Sequence, residues 1–143
     1  MQLCEQDIFI SDEQIDKATA LQRVSEKLVA AGNTTPEYLQ GMLDREAQIS
    51  TYLGNGIAIP HGTPETRHAV LNTGVKVIIF RQGVAWGDDN IAHMVTGIAA
   101  RSNEHLEILR QLTRVLSDDN VPQALQKAKT PCEVLTILTG TDT

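Results

Sequence analysis

Three basic side chains, far apart in the chain, stand in settings that group-transfer chemistry requires. His61 lies in "GNGIAIPHGT" (54–63), Arg45 in "YLQGMLDRE" (38–46) and His105 in "SNEHLEILRQL" (102–112). Pro60 cannot donate to a sheet ladder, so it closes the apolar run Ile57-Ala58-Ile59 and leaves His61 in a loop. Gly62 permits positive φ and close approach to its backbone, and Thr63 adds a hydroxyl and an N–H. An imidazole beside backbone donors forms a concavity suited to an anion. A turn histidine satisfied by the backbone would carry the same local pattern.

Arg45 follows Tyr38 by seven residues and so continues the face of Tyr38 and Met42 on a helix; Glu46 follows Leu39 by the same interval. An inward arginine is not left unpaired. It pairs with Glu46 or another acid, neutralises the helix C-terminus, or grips an anion with its planar fork. His105 precedes Ile108, Leu109 and Leu112 by three, four and seven residues, in the first turn of a helix. There it is either a plug at the core end or a neutral imidazole donating to a phosphate, because the positive helix end disfavours imidazolium. Together the three suit nucleophilic catalysis by histidine, with Arg45 and backbone donors neutralising phosphoryl charge. The chain carries neither a P-loop nor a clear metal cage, so a phosphoryl carrier is expected before an ATP-using kinase.

The elements that must position these residues follow from capping and periodicity. Asp16 caps a helix over about 17–31, with Leu21, Val24 and Leu28 inward and Gly32 just beyond. Thr35 and Pro36 start a second, running to about Gln48. Ile8-Phe9-Ile10 reads as an edge strand, Ile57-Ala58-Ile59 as a short buried strand, and 74–81 as β-rich. Gln82-Gly83 reads as a turn into Val84-Ala85-Trp86, and 93–100 as a central strand. A helix from about Glu104 to Leu116 and two short ones near 120–128 and 131–138 complete a layered α/β domain.

Composition narrows the function classes. The 143 residues suit one domain, able to bury roughly 70% of its unfolded surface. Aromatics are only 3%, which disfavours base stacking, and a net charge of −6 without a basic cluster disfavours nucleic acid. "MQLCEQDIFI" lacks a basic leader and no stretch approaches the ~20 apolar residues of a membrane span, so no direct membrane insertion and a cytoplasmic location are expected. Cys4 and Cys132 have no metal-type spacing and are expected to be reduced and inert. His68 reads as a surface residue, His93 as structural or at a rim, and Trp86 as core.

The run "MLDREAQISTYLGNGIAIPHGT", together with "GIAARSNEHLEIL", resembles the EIIA components of the bacterial sugar phosphotransferase system, mannitol/fructose type; "TYLGNGIAIPHGT" resembles the mannitol branch. The order of elements agrees over nearly the whole chain. The resemblance implies a single EIIA type-2 domain over 1–143, folded as a three-layer α/β/α sandwich around a mixed β-sheet. It implies that His61 is the nucleophile that accepts a phosphoryl group from phospho-HPr, at Nε2, and passes it to a cysteine of an EIIB domain working with the membrane component EIIC. Arg45 and His105 match residues that support phosphate. Gly62 and Thr63 are then expected to bind it and Glu46 to orient the site. No metal and no cofactor are implied. Mannitol or a related polyol is the expected sugar, and the absence of EIIB or EIIC segments implies a free-standing EIIA. "IIFRQGVAWGDD" departs from the family pattern at Arg81, Gln82 and Trp86. HPr docking would use an apolar patch with an acidic rim near His61, for which Ile57, Ile59 and the nearby loops are candidates. Two rivals remain open: a regulatory EIIA-like domain that signals by its phosphorylation state, and a metal-dependent hydrolase built on His61, His68, His93 and His105, whose spacing is poor for a metal.

Overall fold

Asp16 starts the first helix as the sequence predicts. Its carboxylate accepts the Thr19 N–H at 2.9 Å, and α1 runs Lys17–Ala30. The computed structural model describes residues 3–100, 110 and 118–139. The second start signal acts differently. Thr35 and Pro36 each accept an N–H three residues on, from Tyr38 and Leu39, and α2 spans Tyr38–Gln48. The Thr35 hydroxyl is buried without a hydrogen-bond partner among the described residues, so proline and backbone turns, not a side-chain cap, open this helix.

Five strands form one mixed sheet: β1 Ile8–Ser11, β2 Tyr52–Gly54, β3 Ile57–Ala58, β4 Gly74–Gly87 and β5 Asn90–Ala99, in the order β1-β4-β5-β3-β2. β1/β4 and β3/β5 are parallel, while β4/β5 and β2/β3 are antiparallel. β1 is an edge strand, as its length and sequence suggest. β2 was not legible beforehand. It forms because Asn55 and Gly56 take φ of 50° and 78°, the left-handed pair a tight hairpin needs.

Gln82-Gly83 is not a turn between strands. β4 continues through it, and its register against β5 passes from Ile79↔Met94 to Val84↔Ala92, leaving extra residues on β4 as a bulge. The chain reverses at Asp88-Asp89, with φ of 52° and 65°; aspartate tolerates this conformation better than most residues. Arg81 lies beside Asp12, Nε to Oδ1 at 3.5 Å.

The run Val75 to Phe80, apolar but for Lys76, is buried on both faces. Ile78 and Phe80 join Leu21, Val24, Leu28 and Met42 of α1 and α2, while Val75, Val77 and Ile79 join Leu125, Val134 and Leu138. The latter belong to α3 (Val121–Lys127) and α4 (Pro131–Thr139). This is the expected three-layer α/β/α sandwich. The helix expected over 104–116 lies, apart from the helical residue 110, outside the described residues, as does His105.

Candidate functional site

β3 and β5 run parallel, and an isolated bridge between His61 and Ile98 carries their pairing past Pro60. The Ile98 N–H donates to the Pro60 carbonyl at 3.0 Å. His61 therefore leaves the sheet at the carboxyl ends of two neighbouring strands, where open α/β sheets commonly place their ligands.

The half-exposed imidazole is oriented by its own strand. His61 Nδ1 is 2.9 Å from the Ile59 carbonyl oxygen. A carbonyl only accepts, so Nδ1 carries the proton. In the neutral ring this places the lone pair on Nε2, the atom then suited to act as a nucleophile.

The loop beyond is held by Tyr38, buried at 3% exposure on the first turn of α2. Its hydroxyl donates to the Ile98 carbonyl and accepts the Gly62 N–H, both at 2.8 Å. Burial pushes its phenol pKa up, against the opposing pull of the Gly62 N–H, so the hydroxyl stays protonated and keeps both bonds. The Gly62 N–H expected to face an anion is thus committed to Tyr38. Gly62 does not adopt positive φ either. Glycine is required there for space: a Cβ would stand 2.5 Å from Tyr38 Cε1 and 2.6 Å from Thr66 Oγ1. Thr63 is buried, and its carbonyl accepts the Thr66 N–H at 3.0 Å and the Thr66 hydroxyl at 2.8 Å.

Arg45 reaches the same place from the other end of α2. Tyr38, Arg45, His61, Thr63, Arg67 and Ile98 are among the residues lining a cleft of about 220 Å³. Arg45 is partly buried, and its Nη1 donates to the Ile49 carbonyl at 2.5 Å. It thus answers the helix C-terminus, as one reading of the sequence anticipated, and keeps its remaining N–H donors for the cleft. It does not pair with Glu46.

Glu46, expected to orient the site, faces away from the cleft. Its carboxylate accepts the Thr51 N–H and hydroxyl and the Trp86 Nε1–H at 2.9 Å, and it pairs with Lys17 Nζ at 2.9 Å. Burial alone would raise its pKa, but the hydrogen bonds from Thr51 and Lys17 outweigh it and hold the carboxyl below its ordinary value. Trp86 is buried core, as expected.

His68 is exposed and lies 3.2 Å from Glu37, and His93 Nδ1–H donates to the Phe80 carbonyl at 3.1 Å, so neither joins the cleft. Among the described residues no three His, Cys, Asp or Glu side chains group as a metal cage. Ile57 and Ile59, the docking candidates, are 0% and 6% exposed and belong to the core, so they cannot form a docking patch; the exposed apolar residue beside Arg45 is Ile49.

Arg67 was missed. It sits at the end of the 3-10 turn Pro64–Ala69, which folds back at once after Thr63. The available signal was Thr63-Pro64, a start signal that brings a basic residue six positions after His61 back toward it.

A histidine whose Nδ1 is bonded to a carbonyl, set beside arginines in a cleft at strand ends, is an arrangement that suits group transfer. The chain belongs to the family described as "Phosphoenolpyruvate-dependent sugar phosphotransferase system, EIIA 2", whose family model matches residues 1–140. The chain is 53% identical over 140 residues to a multiphosphoryl transfer protein of Vibrio cholerae, covering 98% of this chain and 35% of that protein. It is 43% identical over 137 residues to the PTS system mannitol-specific EIICBA component of Escherichia coli, covering 94% and 22%. It thus spans about a third or less of the length of these relatives. Among solved structures, the complex of enzyme IIAMTL and phosphorylated enzyme IIBMTL from Escherichia coli superposes with a TM-score of 0.89 at 42% identity, covering 97% of this chain and 98% of the matched one.

Proposed function

We propose that this phosphotransferase component carries a phosphoryl group on His61. Nε2 accepts it from phospho-HPr and delivers it to a cysteine of an EIIB domain, which with the membrane component EIIC phosphorylates incoming sugar. The observation that carries this reading is the 2.9 Å hydrogen bond from Nδ1 to the Ile59 carbonyl, which turns Nε2 into the nucleophile, in a cleft that Arg45 lines. The side-chain placement supports a narrower site than the motif implied. Arg45 is retained as the charge-neutralising group, and Thr63 as a wall of the phosphate cleft. Gly62 contributes by admitting Tyr38 against the loop, and Glu46 by anchoring the end of α2. His105 keeps its expected supporting role on the family resemblance alone. We place the protein in the cytoplasm, in keeping with the finding that no described helix is long and apolar enough to cross a membrane. Residues 1–143 act as one EIIA unit.

The test is transfer of label from phosphoenolpyruvate through Enzyme I and HPr. Wild type is expected to take acid-labile, base-stable label and His61→Ala none. Arg45→Ala and His105→Ala should fold normally but accept the group about 10²–10³-fold more slowly, as for loss of one charge-stabilising donor. Label on His61→Ala would remove His61 from the reaction. The relatives include both mannitol-specific and multiphosphoryl transfer proteins, so the sugar follows from the EIIB that discharges the labelled protein. Mannitol or a related polyol remains our expectation, and rapid discharge by a mannitol-type EIIB, without discharge by a fructose-type one, is the result it requires.

A further inference from the structure

Two guanidinium groups line the His61 cleft, and they are held differently. Arg45 is partly buried and tied by Nη1 to the Ile49 carbonyl. Arg67 is exposed, on the other side of His61 in sequence, and its guanidinium makes no hydrogen bond or ion pair among the described residues. This is unlike Arg23, which pairs with Glu13 and Glu26, or Arg81, which pairs with Asp12. An exposed arginine in the last turn of a short helix ordinarily answers the helix end or the nearest carboxylate. Arg67 does neither, although Glu65 stands two residues away in the same turn.

Its base, by contrast, is rigid. Pro64 begins the turn, Thr66 bonds back to Thr63, and the Val70 N–H donates to the Arg67 carbonyl at 3.0 Å. Ala69 and Val70, next in the chain, are 0% and 1% exposed. The backbone from His61 to Val70 is therefore pinned at Gly62, Thr63 and Val70, and it sets a long, exposed cation, without a partner among the described residues, on the wall of the cleft. A cleft of about 220 Å³ has room for a phosphoryl group, and an exposed lining residue such as Arg67 can meet a phosphoryl group still bonded to a partner protein.

Resting on the phosphocarrier reading, we propose that Arg67 is a second catalytic arginine, which grips the phosphoryl group in transit between the partner's nitrogen and His61 Nε2. In that step the P–N bond of the partner's phosphohistidine breaks as the P–Nε2 bond forms. The electron pair of the broken bond returns to the partner's ring nitrogen, and the equatorial oxygens carry the charge. Arg45, fixed and deeper, neutralises the group at rest on His61; Arg67 follows it inward from the mouth and is engaged only while both proteins are present. An arginine fork matches these oxygens in a way a lysine ammonium does not.

The test is rapid-quench, single-turnover transfer from phospho-HPr to wild type, Arg67→Ala and Arg67→Lys over a range of protein concentrations. Arg67→Ala is expected to lower the saturating rate constant about 10- to 100-fold, the loss of one charge-assisted contact, with Arg67→Lys between it and wild type. The final extent of His61 labelling should be unchanged. A change confined to the half-saturating concentration, and abolished by salt, would mean electrostatic docking only and would overturn the proposal. So would unchanged kinetics in Arg67→Ala. Wild type that takes no label would overturn the phosphocarrier reading and this one together, whereas labelled wild type with a fully active Arg67→Ala would overturn this one alone.

Discussion

Tyr38 joins the helix that supplies an arginine to the strand end that supplies the histidine. One hydroxyl satisfies both the Gly62 N–H and the Ile98 carbonyl, so it acts as a rung of the ladder where the loop has left the sheet. Tyr38→Phe keeps the ring and leaves two backbone groups without a partner. We expect a loss of about 1–3 kcal/mol in urea unfolding, since an unsatisfied buried group costs more than a hydrogen bond contributes. Phosphoryl acceptance should also slow, because His61 follows directly from a loop that is then less well held. An unchanged unfolding midpoint would show that water replaces the hydroxyl at no cost.

Between elements, Glu46 is the junction. From the last turn of α2 it gathers Thr51 just before β2, Trp86 of β4 and Lys17 of α1. A buried carboxylate is tolerated here because every nearby donor points at it, including a cation. Glu46→Gln retains the shape and removes the charge, leaving Lys17 without its anion. A cost of about 1–3 kcal/mol at pH 7 is expected from urea unfolding, in the range for hydrogen bonds to charged groups. Transfer by the folded variant should stay near wild type, because the carboxylate does not face the cleft. A large loss of transfer with unchanged stability would return Glu46 to an orienting role.

Across the whole molecule, four carboxylates among the described residues are held below their ordinary values; Glu13 and Asp16 are exposed and add little, so Glu46 and Asp7 carry most of the link between stability and pH. Glu46 and Asp7 both lie below their ordinary values of 4.5 and 3.8. For Asp7 burial works against this, and the hydrogen bonds from Lys76 and Cys4 prevail. A carboxyl that binds its proton more weakly when folded stabilises fully above its unfolded pKa and loses that contribution as pH falls through the folded one. The urea midpoint should therefore hold from pH 7 to about 5 and fall steadily below about 4.5. The fall should be shallower in Glu46→Gln, which has one fewer group to titrate. A midpoint that stays level to pH 3 would refute both assignments. The cleft is lined by two arginines and, among the described residues, by no carboxylate, so an incoming phosphoryl group meets locally positive charge although the whole chain carries −6.

Short-range rules were enough for much of this protein. Asp16 as a cap, the β-rich run 74–81, the arrest of the strand at Pro60 and the two short helices near 120–128 and 131–138 all depend on residues a few positions apart. The histidine and Arg45 were legible for the same reason, from a proline–glycine pair and a helical interval of seven. What only the tertiary structure decided concerns partners distant in the chain. The bond that commits the Gly62 N–H spans 24 residues, that between Trp86 and Glu46 spans 40, and that from Tyr38 to Ile98 spans 60. No periodicity reports such pairings, so the sequence could not show that Gly62 is there for space, that Glu46 turns from the cleft, or that Arg67 lines it. The sequence by itself determined which atoms were available for chemistry; packing between distant segments determined which of them meet.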